Sequence, residues 1–121
     1  MRFPVFKTSK FTQLVFPLAL AAFAGASTSA IAAVDADAAQ ALFKKNDCTK
    51  CHSVDKTKKG PSLKKIAAKY KGKADGQEKV TKNMTTGPKV KLEDGTEEDH
   101  KVIDTKDPAA IKNIADWILA Q

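Results

Sequence analysis

The segment "NDCTKCHSV" constrains this chain more than any other. Cys48 and Cys51 are its only cysteines, one helical turn apart, and His52 follows the second directly. Two cysteines so spaced can form a disulfide, a redox dithiol, half of a zinc site, or the two thioether links of a c-type haem. Zinc is disfavoured, because His52 adjoins Cys51 and cannot readily turn to the same metal. A dithiol enzyme would hold such a pair at the helix N-terminus of an α/β scaffold, whereas the apolar pattern here is helical. Haem attachment accounts for all three residues. A helical turn carries positions i and i+3 to one side, where two sulfurs reach two vinyl groups at one porphyrin edge. The chain so pinned brings the next imidazole to the iron, which makes His52 the expected proximal ligand of one covalently bound haem c.

The N-terminus points to export. Arg2, Lys7 and Lys10 carry positive charge without any acid, "LVFPLALAAFAGA" is apolar, and small residues surround Ala30-Ile31-Ala32. That order is the signature of a cleavable signal peptide. The apolar run from Leu14 to Ala26 contains Pro17 and falls short of the ~20 residues of a membrane span. Residues 1–32 are therefore expected to be a signal peptide and residues 33–121 one small periplasmic domain with no stable membrane anchor. A domain of that size buries a small core and usually needs a staple. Its cations are all lysines after Arg2, so the arginine forks typical of nucleic-acid binding are missing and that class of partner is not expected. Eleven lysines lie between Lys44 and Lys73 against Asp47 and Asp55, while seven acids between Glu93 and Asp107 face only Lys101 and Lys106. Such a dipolar surface steers and orients a charged partner.

Four helices are predicted. The first runs from about Asp37 to Lys45, with Ala38, Leu42 and Phe43 on one stripe. The second is "SLKKIAAKY", in which Leu63, Ile66, Ala67 and Tyr70 recur at helical spacing and Gly72 stops the run. A third opens at Asp75, where "DGQE" has the form of a capping box, closes before Gly87, and buries Val80 and Met84. The last begins at Asp107-Pro108, an N-cap followed by proline at the first helical position. Ile111, Ile114, Ala115, Ile118 and Leu119 form its apolar face, with Trp117 beside it. Asp94-Gly95, preceded by Val90 and Leu92 alternating with lysines, allows a short hairpin in the loop between.

The stretches "ALFKKNDCTKCH", "KGPSLKKIAAKY" and "IADWILAQ" resemble the small class I bacterial cytochromes c of the c-551/c-552 type. The resemblance implies an all-α fold of about four helices around one covalently bound haem. It implies that Phe43 packs near Trp117 where the first and last helices cross. It implies that the Pro61 carbonyl engages the other ring nitrogen of His52, and that Tyr70 caps the haem pocket.

The distal ligand is where the resemblance breaks. The family uses a methionine, usually before proline, in the loop ahead of the C-terminal helix. Met84 is the only methionine besides Met1; it lies far from that helix and is followed by Thr85. Its spacing from Val80 suits plain core filler. His100, the only histidine besides His52, sits a few residues before the Asp107 cap. It is the expected distal ligand, with Met84 the alternative. An imidazole in place of a thioether lowers the reduction potential. The function expected from the resemblance is one-electron transfer without substrate turnover. The partners are redox proteins such as a dehydrogenase, a membrane complex or a reductase, and the carrier is a monomer. The alternative is a haem-based sensor or gas-binding module with a displaceable sixth ligand; a haem-free dithiol enzyme is the third reading.

Overall fold

The computed structural model describes residues 32–121, so all but the last residue of the expected signal peptide lies outside the described residues. The described chain forms four helices and one hairpin. They are α1 (Ala36–Lys45), α2 (Leu63–Tyr70), α3 (Gly76–Thr86), the strands β1 (Lys89–Lys91) and β2 (Glu97–Asp99), and α4 (Pro108–Leu119), with a 3₁₀ turn at Cys48–Lys50 between α1 and α2. The helical prediction and the hairpin both hold. No helix among the described residues is long and apolar enough to cross a membrane.

The helix ends follow from their caps. The Asp35 side chain accepts from the Ala38 N–H, Ser62 from Lys65, and Asp107 from Ala109, each satisfying a donor that the first turn leaves unpaired. Gly87 ends α3 in the left-handed region at φ 60°, a conformation open to glycine. Two local expectations fail. Asp75 makes no side-chain capping bond because its backbone, at φ −101° and ψ 6°, is not extended; its carboxylate instead pairs with Lys79 at 2.7 Å. On α1 the buried face is Ala39 and Phe43, with Ala38 exposed, because the crossing with α4 rotates the stripe by one residue.

Helix α4 is the hub, packing on α1, α2 and α3. Its Ile114 and Ala115 are fully buried, as expected for a helix apolar on more than one side. Phe43 and Trp117 meet edge to face with ring centroids 5.6 Å apart, the geometry that aromatic quadrupoles favour. Beside them Asn113 and Asp35 exchange two hydrogen bonds: the Asp35 N–H donates to Asn113 Oδ1 and Asn113 Nδ2 donates to the Asp35 carbonyl, both at 2.8 Å. Strands β1 and β2 pair antiparallel, with Lys89 opposite Asp99 and Lys91 opposite Glu97. Opposite charges thus face each other across the hairpin. Because Asp107 caps the hub helix, Asp107→Ala is expected to cost about 1 kcal/mol, measurable as a lower denaturant midpoint with an unchanged slope.

Candidate haem-binding site

The site begins where α1 stops. Asp47 adopts φ 58°, a left-handed conformation that aspartate tolerates better than most residues, and so turns the chain into the 3₁₀ turn. The N–H groups of Cys51 and His52 both donate to the Cys48 carbonyl, at 3.2 and 2.9 Å. That single turn holds both free, half-buried cysteines at one wall of a cavity of about 470 Å3.

Every residue expected from the sequence to hold or flank the haem lines this cavity: Cys48, Cys51, His52, Pro61, Tyr70, Met84 and His100. Leu63, Val80 and Ile118 add apolar wall, and Lys65, Lys69, Lys91 and Lys101 stand among its polar residues. The volume falls within the ~300–1,000 Å3 of cofactor and ligand pockets.

Two imidazoles face one another across it. The rings of His52 and His100 have centroids 6.1 Å apart and planes tilted by 37°. His52 Nδ1 lies 2.7 Å from the Pro61 carbonyl, and His100 Nδ1 lies 2.9 Å from the Lys101 carbonyl. A carbonyl oxygen only accepts, so each Nδ1 carries a proton, and in the neutral ring Nε2 is the nitrogen with the free lone pair. Burial pushes the His52 imidazole below its ordinary pKa; the Pro61 carbonyl works in the opposite direction, and His100 adds to the lowering. The ring is thereby kept neutral, the form that ligates metal. Burial likewise pushes the Cys48 thiol up, opposed chiefly by its backbone hydrogen bond and by Lys101. Met84 is 8% exposed and belongs to the hydrophobic core. It sits on α3 next to Val80 as its spacing implied, while still reaching the cavity wall.

Several residues that build the site carry no motif. A Cβ at Gly60 would stand 2.8 Å from His52 Cε1 and 3.2 Å from Nδ1, so only glycine lets the loop before α2 lie against the imidazole. Gly60→Ala is expected to displace the ring and cost about 1–3 kcal/mol, as overpacking does; a shifted His52 resonance together with a lower melting temperature would register it. At Gly87 a Cβ would meet the His100 carbonyl and Val102, each at 2.9 Å, so this glycine admits the distal segment to the end of α3. That segment is held by backbone bonds from the His100 N–H to the Pro88 carbonyl and from the Ile103 N–H to the Met84 carbonyl, both 2.8 Å. The Glu93 N–H donates to the Lys59 carbonyl at 3.1 Å, which joins the hairpin to the loop before α2.

The family model for cytochrome c matches residues 36–121, which spans the whole array of helices and hairpin. Cytochrome c-551 of Pseudomonas denitrificans is 46% identical over 48 residues, covering 40% of this chain, and the chain spans only 58% of that protein's length. Cytochrome c-552 of Nitrosomonas europaea is 35% identical over 99 residues, covering 73% of this chain and 79% of its own. Among solved structures, the class 1 cytochrome MtoD of Sideroxydans lithotrophicus ES-1 superposes with a TM-score of 0.69 at 56% identity, over 73% of this chain and 97% of MtoD. The wild-type N. europaea cytochrome c552 superposes at 0.54 with 36% identity, over 66% and 95% of the two chains. An attachment turn with its two sulfurs, a neutral histidine directly after it, a cavity of suitable volume and these likenesses converge: the chain belongs to the cytochrome c family, with a class I fold and haem c as its cofactor.

Proposed function

We propose that the protein is a periplasmic one-electron carrier in which Cys48 and Cys51 hold haem c and His52 and His100 are its two axial ligands. The facing imidazoles carry this reading. Two metal–imidazole bonds of ~2 Å, plus ~1 Å from each nitrogen to its ring centre, require ring centres ~6 Å apart, and the observed separation is 6.1 Å. Haem c supplies the one-electron couple of its iron when bound; the chain supplies everything else. The carbonyls of Pro61 and Lys101 orient both rings, Met84 and Val80 wall the cavity with apolar surface, and with both imidazoles holding the iron no position would stay open for substrate. Imidazole in place of thioether, with Glu98 and Asp99 at the cavity wall, favours the oxidised state and a low potential. Electron paramagnetic resonance of the oxidised protein tests the ligand set. A low-spin two-imidazole signal is expected; an iron–thioether charge-transfer band in the optical spectrum would assign Met84 instead.

The remaining parts of the reading rest on sequence. Residues 1–32 direct export and are removed, leaving 33–121 as the working monomer; a family match that starts at residue 36 supports that division. The lysines around the attachment turn form the docking face for an acidic redox partner. Raising ionic strength from ~0.01 M to ~0.15 M shortens the Debye length from ~30 Å to ~8 Å, so the bimolecular electron-transfer rate should drop at least several-fold. A rate independent of salt removes the docking assignment.

A further inference from the structure

We propose that Asn46 is a positioning residue for the distal ligand, tying the haem-attachment turn to the segment that carries His100. This rests on the two-histidine reading above. Asn46 is 2% exposed, one of only two buried polar side chains among the described residues. It occupies the C-cap of α1, two residues before Cys48. Its Nδ2 donates to the Leu42 carbonyl at 2.9 Å, which fixes the side-chain rotamer. Its Oδ1 accepts from the Asp104 N–H at 2.6 Å, across 58 positions of sequence.

The distal segment from His100 to Asp104 contains no helix or strand of its own. Its described hydrogen bonds to the rest of the chain come from the His100, Ile103 and Asp104 N–H groups. The first two reach carbonyls at the end of α3; only the third reaches the cysteine side of the cavity, and its acceptor is the single side chain of the set. Removing that acceptor cuts this one tie, and Asp104, which is exposed, then exchanges its protein partner for water by moving outward. Movement of Asp104 outward draws His100 away from His52. The rigid link is thus specific to the separation of the two imidazoles, whereas α1 keeps a cap without it, since the Asn46 backbone N–H also donates to the Leu42 carbonyl at 3.1 Å.

The test uses the haem-loaded protein. Asn46→Leu keeps the volume and removes the acceptor; Asn46→Asp keeps an acceptor oxygen. Cyanide association with the oxidised protein is expected to quicken up to roughly tenfold in Asn46→Leu, the scale set by one lost hydrogen bond, and to stay close to wild type in Asn46→Asp. A purely structural Asn46 would lower the melting temperature in Asn46→Leu while leaving cyanide kinetics as in wild type, and that result overturns the proposal. Should Asn46→Leu fail to mature, hydrogen exchange of the Asp104 amide in the wild type decides: slow exchange matching the core supports the link, and exchange as fast as the Asp94-Gly95 turn overturns it. A wild-type spectrum without two imidazoles overturns the ligand reading and this proposal together, whereas a two-imidazole spectrum with unaltered Asn46→Leu kinetics overturns this proposal alone.

Discussion

Substituting His100→Ala is expected to make the reduced, haem-loaded protein bind carbon monoxide rapidly, where the wild type does so only slowly or not at all. The expectation follows from geometry. His100 is the second imidazole across a 6.1 Å gap from His52, its free Nε2 is the atom available for the iron, and the neighbouring wall is supplied by Met84 within the core. Alanine leaves a half-buried pocket with no strong donor in place of the ring. The low-spin two-imidazole signal should disappear at the same time. His100→Met should instead raise the reduction potential by on the order of 0.1–0.2 V, a fraction of the ~0.8 V that axial ligands command. An His100→Ala protein with an unchanged spectrum and no uptake of carbon monoxide would place the ligand elsewhere. Wild-type protein that takes up carbon monoxide readily would favour a gas-binding module over a carrier.

The second large effect concerns the cysteines. Cys48→Ala/Cys51→Ala is expected to yield a chain whose pigment passes into acidified acetone and which, once stripped, unfolds without a cooperative transition. The argument is one of volume. An apolar cavity left empty costs ~24 cal/mol per Å3, so one of about 470 Å3 costs on the order of 10 kcal/mol. Since the cavity is partly open, that figure is an upper bound, yet it is as large as the ~5–15 kcal/mol by which a whole domain is ordinarily stable. Circular dichroism during a denaturant titration reads the outcome. A sharp transition in the stripped double variant would mean that the four helices close over a core of their own.

How far the site could be read from the chain depended on how local its causes are. The attachment turn is written in five consecutive residues, and the hub helix in Asp107-Pro108 followed by an apolar face, so both were legible. His100 could be singled out because only one other histidine exists to compare with it. Gly60, Gly87 and Asn46 could not, because each matters through a contact that only the folded chain creates. Gly60 leaves room for the His52 ring, Gly87 for the His100 carbonyl, and Asn46 for the Asp104 N–H. The "DGQE" box misled for the opposite reason: the residue types suit a cap, but the torsion angles at Asp75 turn its carboxylate to Lys79. The α1 stripe slipped by one position because both Ala38 and Ala39 satisfy a helical period, and only the approach of α4 chooses between them.

The paired hydrogen bonds between Asp35 and Asn113 span 78 positions and set an order of assembly. Closing a flexible chain of that length costs about 4 kcal/mol in (3/2)RT ln n alone, with nothing gained until the final helix is available to bury Phe43 and Trp117. The growing polypeptide therefore presents its CTKCH turn on an unclosed chain, and the ends meet last. Its two thiols stay accessible until that stage, and docking of the C-terminal helix then closes the fold over them.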